Sequence, residues 1–206
     1  MNALLDPPLT TRPLPPVVQW TPKRYHWTNE EFCNLGDAGV FEGRSVILVD
    51  GEILQMAMLN PPHDMSLSLT DYLLREIFRI GHFIRVQTGL AVNDDTNLGP
   101  DLAVVIGSPR DYKSAPRTAV LIVEVADTSL AYDRGEKSNL YAAAGIQDYW
   151  VIDVNGGELL IFREPIADAE APRGYRYTSI QSLVATDSVT PLAAPEASIR
   201  VADMLP

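Results

Sequence analysis

Three residues in this 206-residue chain have the types and settings needed for chemistry on an anionic substrate: Asp101, Glu124 and Lys137. Glu124 interrupts the apolar run Ala119-Val120-Leu121-Ile122-Val123-Glu124-Val125-Ala126. A run so rich in β-branched side chains predicts a strand covered on both faces, where an ionised carboxylate loses its hydration unless something compensates it. Asp101 has a similar setting, at the head of Gly99-Pro100-Asp101-Leu102-Ala103-Val104-Val105-Ile106. Two anions held in a low-dielectric site repel, so one takes up a proton or a cation sits between them, and a divalent metal is the economical answer. Each also has a plainer reading: Glu124 as a core glutamate paired with Arg85 or Arg134, Asp101 as a turn residue at a strand start. Buried acids without partners are rare outside functional sites, which favours reading the two together.

Lys137 belongs to Asp133-Arg134-Gly135-Glu136-Lys137-Ser138-Asn139-Leu140-Tyr141-Ala142-Ala143-Ala144-Gly145, which reads as a helix begun by Asp133, continued by alanines and stopped by glycine. Lys137, Leu140, Tyr141 and Ala144 share one face of it, so the ammonium would point at the preceding strand. The bland alternative is a lysine that lays its stem over Tyr141 and reaches water. An aspartate, a glutamate and a lysine on two adjacent strands and the next helix are the parts of metal-dependent phosphodiester hydrolysis. The carboxylates hold magnesium, the metal polarises the phosphate and acidifies a bound water, and the lysine orients that water or offsets charge on phosphorus.

Pro100-Asp101, then Glu124, then a lysine resembles the PD-(D/E)XK nuclease superfamily. The stretch from about Tyr25 to Arg163 is similar to its restriction-endonuclease-like family of unknown function. The strings that carry the likeness are Val49-Asp50-Gly51-Glu52-Ile53, Pro62-His63, Pro100-Asp101-Leu102, Val123-Glu124-Val125, Tyr132-Asp133-Arg134-Gly135-Glu136-Lys137 and Ala144-Gly145-Ile146-Gln147-Asp148-Tyr149-Trp150-Val151-Ile152-Asp153. The resemblance implies an α/β (α+β) fold with an αβββαβ core, a central mixed sheet flanked by helices. It also implies a Mg²⁺ or Mn²⁺ cofactor held by Asp101 and Glu124, and a nucleic-acid substrate, DNA first. The superfamily places its lysine two residues after the glutamate, where this chain has Ala126; Lys137, from the following helix, is the natural substitute. Asp127-Thr128-Ser129 stands where relatives show Ser-Pro-Ser or Ser-Pro-Thr, which bears on the strand-to-helix turn. The likeness also brings His63 to the site, as a proton shuttle or phosphate contact, although a histidine before a long helix can simply cap it. It offers Glu52 as a group near the metal, although a hairpin glutamate is usually just solvated. Gln87 is a weaker candidate for orienting water.

The positioning elements follow from pattern. Val46-Ile47-Leu48-Val49 and Glu52-Ile53-Leu54-Gln55-Met56 around Asp50-Gly51 read as a tight hairpin added at the N-terminal side of the core. Leu69, Leu73, Ile77 and Ile80 give helical spacing from about Asp64 to Ile80, stopped by Gly81. Strands are expected at about 83–92, 101–106, 148–154 and 158–163, and Tyr149 and Trp150 are expected to pack the core. Residues 1–22 are proline-rich and aperiodic and read as an arm; 23–206 reads as one domain. There is no run long enough for a bilayer and no signal-peptide pattern at the start, and the single Cys33 cannot form an internal disulfide, so a reducing cytoplasm is expected.

The net charge of −11 argues against a stable nucleic-acid binder. It is unevenly spread: residues 75–137 hold eight Lys and Arg against nine Asp and Glu, and the flanks eight against eighteen. Arg75, Arg79 and Arg85, and separately Arg110, Lys113 and Arg117, could form a phosphate track, or could be ordinary surface charge. Two other readings stand beside an active nuclease: a catalytically silent relative that binds nucleic acid or protein, and an oligomerisation module, a homodimer, whose C-terminal strands from about Tyr175 to Ile199 pair between subunits.

Overall fold

The computed structural model describes residues 20–56 and 60–206. The proline-rich arm expected over 1–22 therefore lies, except for its last three residues, outside the described residues. One six-stranded sheet carries the molecule, in the order β3-β4-β5-β6-β7-β8. Its strands are β3 (His82–Val86), β4 (Leu102–Ile106), β5 (Leu121–Ala126), β6 (Asp148–Asp153), β7 (Glu158–Ala167) and β8 (Tyr175–Val184). Only β5 and β6 run parallel; the other neighbours are antiparallel. That one parallel pair requires a crossover connection, and the helical stretch from Leu130 to Ala143 supplies it. Together with α2 (Pro61–Ile77) ahead of β3, this gives the expected αβββαβ order, a mixed sheet with helices on its faces.

Strand alternation sorts the core into two layers. Ala103, Val105, Ile122, Ala126, Tyr149 and Phe162 pack with Leu140, Tyr141 and Ile146 on one face. Leu102, Val104, Leu121, Val123, Trp150 and Leu159 pack with Leu67, Leu74 and Phe78 from α2, and with Val201 and Met204, on the other. Tyr149 and Trp150 are both fully buried, as their pattern predicts, and each hides its polar tip in a hydrogen bond: Tyr149 donates to the Asp133 carbonyl (2.8 Å), Trp150 to Asp148 Oδ1 (2.8 Å).

The hairpin of β1 (Val46–Val49) and β2 (Glu52–Gln55) forms with the expected turn. Asp50 (φ 49°) and Gly51 (φ 74°) are both left-handed, the conformation a two-residue I′ turn demands. A side chain at Gly51 would also meet His26 at 2.8 Å, so glycine is required there twice over. Ahead of it, α1 (Asn29–Asp37) begins with a capping box between Thr28 and Glu31.

Several expectations are corrected. The first long helix runs Pro61–Ile77 rather than from Asp64 to Ile80: Asn60 caps it, two prolines fill its first positions, and Phe78 leaves helical geometry to bury under the sheet. Its buried face is His63, Ser66, Leu67, Thr70 and Leu74, whereas Leu69 and Ile80 are exposed. Apolar spacing misplaced that face because two hydroxyls are buried on it. Thr70 donates to the Ser66 carbonyl (2.8 Å) and Ser66 to the Met204 carbonyl (2.7 Å). The strand expected over 83–92 stops at Val86, since Gln87 turns left-handed at φ 48°. At the C-terminal end, β8 pairs with β7 and β9 (Ser188–Val189) with β10 (Ile199–Arg200). Among the described residues no helix is long and apolar enough to cross a membrane.

Candidate active site

Leu102 on β4 pairs with Val123 on β5, so Asp101 and Glu124 stand one step beyond, where β4 begins while β5 runs on beside β6. Both open on one cavity of about 860 Å³, whose walls include His63, Gln87 and Lys137. Asp101 is 9 % exposed, Glu124 2 % and Lys137 3 %. These are buried charges, and each is answered by a specific partner.

Asp101 is held from three elements. Oδ2 accepts from the Val125 amide (2.9 Å) and from His63 Nε2 (3.1 Å), and Oδ1 accepts from Gln87 Nε2 (3.1 Å). Burial alone would raise its pKa, but the His63 hydrogen bond and charge, with the two amide donors, hold the carboxyl below its usual range. His63 shifts the other way: burial would lower it, and Asp101 outweighs that, with a smaller push from Asp64. The helix cap, the plainer reading of His63, is made by Asn60, whose Oδ1 accepts from the His63 amide (3.2 Å), leaving the imidazole at the third helical position facing Asp101.

Lys137 reaches back to β5. Its Nζ lies 2.9 Å from Glu124 Oε2 and 2.9 Å from Asp133 Oδ1. The ammonium therefore occupies the neighbourhood that a lysine at Ala126 would have filled. The helix that carries it differs from the expected one: α3 (Leu130–Tyr132) begins three residues before Asp133, a π-helical turn covers Asp133–Lys137, and α4 (Ser138–Ala143) continues. Asp133 is not a cap. It is buried, accepts from Ser129 Oγ, and is the second carboxylate on Lys137. π-turns inside helices recur at functional sites, and here the turn carries both Asp133 and Lys137.

One ammonium thus answers two carboxylates. Burial drives the Glu124 pKa up to about 8, the negative charges of Asp133 and Asp101 add to the rise, and Lys137 only partly opposes it. Burial would lower Lys137, but Glu124 and Asp133 outweigh it and raise the ammonium's pKa. Tyr141, one turn beyond Lys137, donates to Glu124 Oε1 at 2.7 Å.

Asp101, Glu124, Lys137, His63 and Gln87 are thus brought together. Glu52 is not: it pairs with Arg24 (2.8 Å) on the exposed hairpin, away from the cavity walls. Arg85 and Arg134 do not pair with Glu124; Arg85 donates to the Gly89 carbonyl (3.3 Å) and Arg134 is exposed. Of the two phosphate tracks, Arg75, Arg79 and Arg117 are paired with Asp71, Glu76 and Asp94. The sequence reading missed Asp133 and the hydroxyl of Tyr141. Both lay within reach of pattern, four residues either side of Lys137 on one helical face. Asp127, which departs from the relatives' serine, ties the site's rim together: it accepts from Asn60 Nδ2 and from Asn155 Nδ2 (2.8 Å).

The donor set fits a hard divalent cation. Asp101 Oδ1 meets only Gln87 and Glu124 Oε1 only Tyr141, so each carboxylate keeps lone pairs to offer. Among the described residues no cluster of three His, Cys, Asp or Glu side chains closes a full protein cage. Magnesium suits such a set, because it is commonly held by one or two carboxylates with waters and phosphate oxygens completing the shell.

Residues 30–202 match the model of the Uma2 family, described as putative restriction endonuclease. Among solved structures, the fold is similar to that of an Anabaena variabilis protein described as a putative nuclease belonging to DUF820. The TM-score is 0.59 at 16 % identity, over 77 % of this chain and 88 % of that one. No curated protein matches the chain. At that identity the structural likeness shows the fold, which is restriction-endonuclease-like. The family match spans β1 to β10 and takes in Asp101, Glu124 and Lys137 alike; the chain belongs to the Uma2 family of putative restriction endonucleases.

Proposed function

We propose that the protein is a divalent-metal-dependent nuclease that hydrolyses phosphodiester bonds, with DNA as its substrate. The observation that carries this reading is the ammonium of Lys137, 2.9 Å from Glu124 in a buried site shared with Asp101, although the strand position two residues after Glu124 is an alanine. A lysine supplied from another element to the same place is hard to account for by stability alone, because burying a cation and two carboxylates together gains little over apolar packing. Asp101 and Glu124 would hold Mg²⁺ or Mn²⁺, which when bound acidifies a water and polarises the phosphate. Lys137 offsets negative charge building on the phosphorus oxygens or orients the attacking water. His63, hydrogen-bonded to Asp101, is placed to take or give a proton, its Nδ1 buried and 3.7 Å from Asp64 Oδ1.

The test is incubation of the protein with manganese and with supercoiled, linear and single-stranded DNA, alongside Asp101→Asn. Cleavage that disappears in the variant supports the reading; no cleavage of any substrate, or cleavage that survives Asp101→Asn, overturns it.

One observation favours a second reading, a catalytically silent module that binds nucleic acid or protein. Every carboxylate oxygen of Asp101 and Glu124 already has a donor from the chain itself, so the cluster is internally satisfied. A manganese titration separates the two. A ligand that binds only the folded state raises the melting temperature, and a flat titration favours the silent module. The homodimer remains an expectation, to be tested by light scattering; among the described residues nothing pairs with the outer edge of β8.

A further inference from the structure

We propose that the cavity takes a single unstacked nucleotide of a single-stranded nucleic acid, its phosphate bound by Arg44 and its base laid on the apolar wall formed by Phe32 and Met56. The inference rests on the nuclease reading and names the substrate class for that same site.

The reactive groups are nearly closed to solvent and line a cavity of about 860 Å³, within the usual range for a small-molecule pocket and ample for one nucleotide. An unpaired strand can lay one nucleotide into such a pocket, whereas a duplex must first extrude it. Among the described residues, Arg44 and Lys137 are the two cationic side chains on the cavity walls, and Lys137 is committed to Glu124 and Asp133. Duplex binding draws on many neutralised phosphates. This chain carries −11 overall, and Arg75, Arg79 and Arg117 are already paired with carboxylates. One free guanidinium suits one phosphate.

Arg44 is well placed for it. It follows the turn that leaves α1, where Gly39 and Gly43 adopt φ 78° and 73°, and stands two residues before β1. One Nη donates to the Val40 carbonyl, which fixes the side chain, and no carboxylate among the described residues pairs with the rest of the fork. A planar guanidinium with open donors is suited to bidentate phosphate contact. Met56, bonded through its amide to the Ser45 carbonyl (2.9 Å), and Phe32 from α1 supply apolar surface beside it, the combination that holds single strands without reading their sequence.

The experiment uses the full chain carrying Asp101→Asn, so that binding is read without cleavage, and fluorescein-labelled strands of one sequence as single-stranded DNA, single-stranded RNA and duplex DNA. Single strands are expected to bind at least about tenfold more tightly than duplex, with a salt slope equivalent to about one or two phosphates. Adding Arg44→Ala should weaken single-strand binding about tenfold and lower the slope by about one, with Arg44→Lys recovering part of it. Phe32→Leu, which keeps apolar volume but removes the aromatic face, should weaken it about fivefold or more. Melting temperature should be unchanged, and Arg110→Ala, outside the cavity, should bind as the parent does. Duplex bound as tightly as single strand, or single-strand binding indifferent to Arg44, overturns the inference. The two single strands distinguish DNA from RNA. If manganese-dependent cleavage is seen but Arg44 is irrelevant, the nuclease reading stands and this inference falls. If Arg44-dependent binding is found without any cleavage, the inference stands and the nuclease reading falls.

Discussion

Glu124 and Lys137 show how one buried proton governs this site. The Glu124 carboxyl, raised to about 8 from 4.5, binds a proton in the folded state at pH values where the unfolded chain has released it. Its contribution to stability is therefore fully present below about 4.5 and lost as the pH rises through about 8. The metal-free protein should melt at progressively lower temperature from pH 5 to pH 9, and Glu124→Gln should flatten that part of the dependence while keeping an acceptor for Tyr141. Identical pH profiles in the two proteins would show that Glu124 is not the titrating group. His63, raised above 6.5 by Asp101, acts with the same sign over its own window, so the comparison must be with the Gln variant rather than with a flat line. Lys137→Ala should lower turnover by about 10²–10³, the loss typical of one electrostatic donor, and leave metal binding in place. A fully active variant would remove the lysine from the mechanism.

At the scale of elements, the two faces of β5 predict opposite responses. Val123 is fully buried in the layer with Leu102 and Trp150, so Val123→Asp puts an unpaired charge where no donor exists and should unfold the protein. Glu124→Gln, one residue on, should leave circular dichroism unchanged. Glu124→Leu is less benign than the strand pattern alone suggests, because it leaves the buried Tyr141 hydroxyl without its acceptor. Ala126→Lys, which would put a lysine at the superfamily's usual place, overfills the layer in which Ala126 is fully buried and should cost stability. Asn60→Ala removes the cap of α2 and a donor to Asp127 together, and should cost about 1 kcal/mol or somewhat more in chemical denaturation.

For the whole molecule, the acidic surface and an anionic substrate pull in opposite directions. A chain of net charge −11 gains little from long-range attraction to a polyanion, so whatever holds substrate must be local. Arg173 shows how the fold holds the site's parts in register. Its guanidinium, from the connection between β7 and β8, donates to Glu136 in the π-turn and to Asp50 (3.0 Å) in the hairpin turn. Arg173→Ala should lower the melting temperature and loosen the π-turn, seen as faster amide exchange at 133–137, more than it disturbs β6. Equal exchange in both segments would mean that the link is only surface charge.

By itself the sequence determined the hairpin at Asp50-Gly51, the αβββαβ order, the burial of Tyr149 and Trp150, and the convergence of Asp101, Glu124 and Lys137. Each rests on a local rule: turn residues that tolerate left-handed backbone, a period of two or 3.6, or an acid stranded in an apolar run. The tertiary structure alone decided the rest. Asp133 reads locally as a helix cap, and only packing against β5 makes it the second counter-ion of Lys137. Glu52 reads as near the metal, and only the fold sends it to Arg24. His63 reads as a site residue or a cap, and only the approach of α2 to the head of β4 turns its ring onto Asp101. Burial of Ser66 and Thr70 is invisible to a hydrophobic pattern because their hydroxyls are satisfied by carbonyls the sequence does not pair with them. Charge partners lie far apart along the chain, so the sign of a residue is written in the sequence while its counter-ion is chosen by the fold.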